Sequence, residues 1–198
     1  TLTSGSLTIN KNMTINGSGH HVAISGAGAR RVFSVNGGVT ATLNALKIAD
    51  GYDDVQGGGI NNAGTLSLTN STLIGNSANN GGGIYSSGTL TITNSTISGN
   101  VTNQNGAGIF SSGPMTVTKS TLSDNSVTQN GGGIHNSGDL TVTNSTFSGN
   151  SAGQRGGGIY NTTGTLAVTN STFSGNWADI EGGGVSRVSG TVTLKNTL

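Results

Sequence analysis

GGGIYSSGTLTITNSTISGN, residues 81–100, decides the fold, because the chain repeats it with small changes toward the C-terminus. A branched apolar residue follows each glycine run, at Ile60, Ile84, Ile109, Ile134, Ile159 and Val185, in steps of 24, 25, 25, 25 and 26 residues. The asparagine that closes each unit, at Asn76, Asn100, Asn125, Asn150 and Asn176, steps by 24, 25, 25 and 26. Two markers sharing one period identify a repeat array. A unit this short cannot bury a core alone and must stack on its neighbours.

Within the quoted unit the periodicity is two. Leu90 and Ile92 fall on one face of Thr89–Thr93, and Thr89, Thr91 and Thr93 on the other. That alternation marks a half-buried strand, and the density of Gly and Asn opposes a helix. Residues 84–86, 89–93 and 95–98 read as three strands. Stacking the units aligns four inward columns. One is Leu66, Leu90, Met115, Leu140, Leu166 and Val192, and a second is Leu68, Ile92, Val117, Val142, Val168 and Leu194. A third is Leu73, Ile97, Leu122, Phe147 and Phe173, and the residues after the glycines make the fourth. The predicted fold is all-β: a right-handed, single-stranded parallel β-helix (a β-solenoid) with 24–26 residues and three short strands per coil. The right hand follows from the crossover preference of parallel strands.

Asparagines mark the corners. Asn70, Asn94, Asn144 and Asn170 end the second strand, with Lys119 breaking the row, and the closing asparagines end the third. Asn tolerates left-handed backbone, and stacked copies pass amide hydrogen bonds between rungs. The N-x-S/T sequons at the first corner follow from the repeat and carry no separate signal for glycosylation. Residues 1–58 read as irregular coils of the same domain and residues 59–198 as the regular array, with no linker composition between them. Both ends read as strand without a polar cap, so a fragment of a longer protein is expected.

Composition narrows the function. The net charge is +1 with eight scattered Lys and Arg, which argues against a nucleic-acid footprint. Absence of Cys removes disulfides and thiolate zinc sites. No apolar run is long enough to span a membrane.

The motif pair GGGI and FSGN resembles the GGA[ILV] and FxxN pair of the chlamydial polymorphic outer membrane protein repeats. It stands as GGGI at residues 57–60, 81–84, 131–134 and 156–159, GAGI at 106–109 and GGGV at 182–185, with the Phe of the second motif at Phe147 and Phe173. That resemblance implies a β-helical adhesin passenger. The wider array is similar to bacterial surface proteins of the right-handed β-helix type.

Few residues carry chemistry. Asp50, Asp53 and Asp54 form the one dense acidic group, read as a solvated turn with Tyr52. Asp124 and Asp139 fall in different columns, and His20 and His21 stand in an irregular turn. No catalytic residue, metal ligand or cofactor is expected. Two surfaces are candidates for binding. One is the outward threonine lattice of Thr91, Thr93, Thr116, Thr118, Thr141, Thr143 and Thr169, and the other the aromatic column of Tyr85, Phe110, His135 and Tyr160. Variable turns at 77–80, 101–105, 126–130, 151–155 and 177–181 run beside the column. The expected protein is a non-enzymatic, extracellular or cell-surface segment, a rigid stalk or adhesive surface. Its expected partner is an extracellular ligand (a host or neighbouring cell surface, a glycan, or ice). Ice binding through the T-x-T face is the second reading, and a polysaccharide-binding or polysaccharide-active β-helix the third.

Overall fold

The computed structural model describes residues 1–197; Leu198 lies outside them. The chain winds through eight coils, and every strand pairs in parallel with its counterparts one coil before and after. Among the described residues four sheets follow the stack, with eight, eight, seven and six strands, the last beginning only at Tyr52–Gln56. In the coil that opens at Ile84 they hold Ile84–Ser86, Thr89–Thr93, Thr96–Ser98 and Val101–Asn105. The first three are the strands expected from the sequence. The fourth corrects the expectation of three per coil: segments that vary from unit to unit still pair coil to coil. Ser77 opposes Val101 and Val101 opposes Ser126. Backbone pairing is indifferent to side-chain identity, so a row with no repeated residues can still form a sheet.

The inward columns run as the alternation requires. Leu66, Leu90, Met115 and Leu140 are Cα partners in sequence, as are Leu68, Ile92, Val117 and Val142. These residues are buried, together with Ile60, Ile84, Ile109, Ile134 and Ile159 from the first sheet and Leu73, Ile97, Leu122 and Phe147 from the third. Phe147 and Phe173 stack with centroids 4.7 Å apart and planes 2° from parallel. One hydrophobic cluster reaches from Ile9 to Val168.

Polar columns line the core at its corners. Asn76, Asn100, Asn125 and Asn150 are fully buried. Each side-chain amide donates to the Oδ1 of the next asparagine and to a strand carbonyl; Asn125 Nδ2 reaches Asn150 Oδ1 at 2.9 Å and Ile97 O at 3.0 Å. Every buried amide in the row is therefore satisfied. The left-handed residue at this corner is not the asparagine, as the sequence suggested, but its predecessor: Gly75, Gly99, Asp124, Gly149 or Gly175. At the other corner the expectation holds. Asn70, Asn94, Asn144 and Asn170 have φ near +50°, and so does Lys119.

The glycine runs close each coil. Gly81, Gly106, Gly131, Gly156 and Gly182 have positive φ, and a Cβ at Gly131 would stand 2.6 Å from Ile134 O. A Cβ at the third glycine of the run, Gly83, would lie 2.5 Å from Gly108 O in the next coil. The middle position carries a side chain at Ala107, packed with Val127 and Ala152 in a small second cluster, whereas a Cβ at Gly82 or Gly132 would stand 2.7 Å or 2.5 Å from a backbone oxygen.

Candidate functional site

The second sheet places the predicted threonines on one outward face. Thr91, Thr116 and Thr141 are Cα partners in turn, as are Thr93, Thr118 and Thr143, and Thr169 follows Thr143. Thr116 and Thr141 are exposed; Thr91, Thr93, Thr118, Thr143 and Thr169 are half-buried. Alternate residues along a strand stand about 6.6 Å apart and neighbouring rungs about 4.8 Å apart, so the hydroxyls and methyls form a two-dimensional grid. The face extends beyond the two predicted columns. A third column runs through Thr40, Thr65 and Thr89, and Thr165 and Thr191 continue it beyond Pro114 and Asp139. The signal for it was the T-x-T-x-T of residues 89–93, whose first threonine sits on the same face as the other two.

A second hydroxyl face escaped the sequence reading. On the third sheet Thr72, Thr96, Thr121, Thr146 and Thr172 oppose one another without a break, and Ser98, Ser123, Ser148 and Ser174 run beside them. Its sequence signal is the alternation in T-I-S and T-F-S, where Thr and Ser flank the inward Ile or Phe.

The aromatic column stands as predicted on the outer side of the first sheet, but it is not an exposed surface. Tyr85 and Phe110 are half-buried, and His135 and Tyr160 are each only 7% exposed. Tyr85 and Phe110 stack at 5.1 Å and 5°, Phe110 and His135 at 4.7 Å and 7°, and Tyr160 tilts against His135 at 5.2 Å. The rings spend their faces on each other. The glycine turn lies against the root of the column, since a Cβ at Gly131 would meet His135 Cα at 2.8 Å. In the last coil Ser186, which follows Tyr160 in the column, donates its hydroxyl to Glu181 Oε1 at 2.9 Å. Burial holds His135 neutral, with its pKa lowered from 6.5 to about 4.

Within the acidic group Asp50 stands in a bend, as expected, but Asp53 and Asp54 do not lie in a turn. Tyr52–Gln56 is a strand of the fourth sheet. Asp53 pairs with Arg31 at 2.7 Å, and its Oδ1 accepts the Gln56 and Val55 amides. The Tyr52 hydroxyl donates to Asp54, whose carboxylate raises the tyrosine pKa. Asp50 accepts the Ser25 hydroxyl at 3.2 Å, and Asp139 accepts the Thr165 amide. Each of these carboxylates is engaged in holding backbone or a neighbouring side chain. Among the described residues no helix is long and apolar enough to cross a membrane.

Comparison with curated proteins and with solved structures returns no match. The family described as the right-handed β-helix region matches residues 31–198. With that match and eight parallel coils, the chain belongs to the right-handed β-helix family.

Proposed function

We propose that this chain is a rigid, non-catalytic segment of an extracellular or surface protein that presents its outer sheets to a ligand. The observation that carries the reading is the continuous coil-to-coil pairing of the sheets between Leu7–Ile9 and Thr191–Lys195, with a register shift in the fourth sheet between Ala78 and Asn80. Each coil hydrogen-bonds to the next through backbone, buried Asn and buried Ser, so a load on one coil is shared by its neighbours. The motif pair resembling chlamydial surface repeats supports placement outside the cell. Incubation with acidic polysaccharides, followed by reducing-end analysis, tests the non-catalytic part. Unchanged polymer is expected, and new chain ends would contradict it.

Ice binding is the second reading, favoured by the three outward columns of the second sheet. A regular grid of threonine hydroxyls and methyls on a rigid backbone can order water in a fixed lattice. Thermal hysteresis with ice-crystal faceting tests it. Activity lost in Thr116→Tyr would place the effect on this face, and round crystals with no freezing gap would end the reading.

A further inference from the structure

Three departures from the repeat converge on one spot at the corner between the second and third sheets. The first is an insertion. Regular coils cross this corner in two residues, as between Thr89–Thr93 and Thr96–Ser98, whereas five residues, 17–21, separate Met13–Asn16 from Val22–Ser25. The second is a truncation. Ala45, with φ of 55°, occupies the corner position that asparagine fills in five later coils. The third is a charge. Lys47 opposes Ala23 and Thr72 in the outward column, which is otherwise threonine from Thr72 to Thr172.

The insertion is held down rather than loose. Gly17 permits the close approach, because a Cβ there would meet Ala45 O at 2.3 Å. Ser18 N donates to Asn16 Oδ1 at 3.0 Å, Asn44 Nδ2 donates to Ser18 Oγ and Asn16 Oδ1 at 2.8 Å each, and His20 N closes a turn onto Gly17 O. Missing an asparagine side chain at Ala45, the corner beneath stays open. The result is a cleft of about 330 Å³ lined by His20, His21, Lys47, Asn70 and Thr72 over an apolar floor that includes Leu46. No carboxylate lines it. Asp50, three residues beyond Lys47, is taken by Ser25.

We propose that this cleft binds an oxyanion, a carboxylate or sulfate carried on a single sugar ring or free in solution. Lys47 supplies the charge, the imidazoles and the Thr72 hydroxyl supply directional donors, and the apolar floor takes the C–H face of a ring. The volume lies at the low end of small-molecule sites, the size of one monosaccharide rather than a chain. This site is separate from the threonine face of the second sheet, so either can fail alone.

Two-dimensional amide NMR of the whole chain, titrated with sodium glucuronate, sodium sulfate and neutral glucose, tests the proposal. Saturable shifts confined to residues 17–23, 45–47 and 70–72 are expected with an oxyanion and not with glucose. Shifts with glucuronate alone identify an anionic sugar, and equal shifts with sulfate identify the free anion. Lys47→Ala is expected to weaken binding about tenfold, as loss of one charge-assisted contact does. Lys119→Ala, at an exposed corner two coils beyond the cleft, is expected to change nothing. Equal shifts with glucose, no saturable shift with either anion, or equal losses in both lysine variants would overturn the proposal.

Discussion

A single asparagine shows how each coil is secured to the next. Asn125 Oδ1 accepts from Asn100 N at 3.1 Å and Asn100 Nδ2 at 2.9 Å, while its own amide serves Asn150 and Ile97. Asn125→Ala leaves Asn100 N without its side-chain partner in a buried corner, reduces Asn100 Nδ2 to its longer bond to Leu73 O at 3.4 Å and takes a donor from the Ile97 carbonyl. An unpartnered buried group costs about 1–3 kcal/mol, so a loss of ~2 kcal/mol or more is expected in denaturant titration. An exposed corner change such as Asn94→Ala removes a surface bond to Asn70 and puts alanine at φ of 50°, and is expected to cost about 1 kcal/mol. Gly131→Ala meets both a left-handed backbone and Ile134 O at 2.6 Å. It is expected to destabilise by ~2 kcal/mol or more, whereas Ala107→Gly, at a middle position that already carries a side chain, acts mainly through lost packing. His135 adds a pH dependence. Its pKa falls from 6.5 to about 4 on folding, so the unfolded chain binds the extra proton between those values. Stability is full above pH 6.5 and declines as the pH drops toward 4, by about 3 kcal/mol in all. His135→Phe keeps the stack and is expected to flatten that part of the melting profile.

At the scale of elements, strands differ in what their outward residues are free to do. The threonines of the second sheet face solvent, while the rings of the first sheet are closed off by stacking and by the glycine turn. Thr116→Tyr is therefore expected to leave the melting temperature within a few degrees and to alter only contacts made by that face. Tyr160→Ala removes a ring that is 93% buried and opens a void beside His135. A cost of about 3 kcal/mol is expected, so weak ligand binding by that variant would report lost structure. Three strands per coil were legible because their inward residues repeat with period two. The fourth strand was not, because Ser77–Asn80 and Val101–Asn105 share few residue types and pair chiefly through backbone, with Asn80 bonded to Gln104 and Asn105 by side chains. The closing asparagines were recognised as a ladder. Their inward aim was hidden because the left-handed turn falls one residue earlier, mostly on glycine. Alternation placed the aromatic column outward and left two readings, an exposed surface or rings stacked on one another; it tells in from out but not whether another segment covers the outside, and the stacked arrangement is the one found.

For the whole molecule, the repeat converts a glycine-rich, weakly charged chain into one continuous core. Its narrow width leaves about half of each strand's side chains facing outward, and the family relationship describes this scaffold rather than a ligand. The coils are expected to act as one rigid stack that holds its outer faces in register. Native-state hydrogen exchange on the full chain tests this most directly. Slow amides in all four sheets from residue 60 to residue 170, opening together with one denaturant dependence, are the predicted result. Coils that exchange independently, or a fourth sheet that exchanges at the rate of a loop, would contradict it.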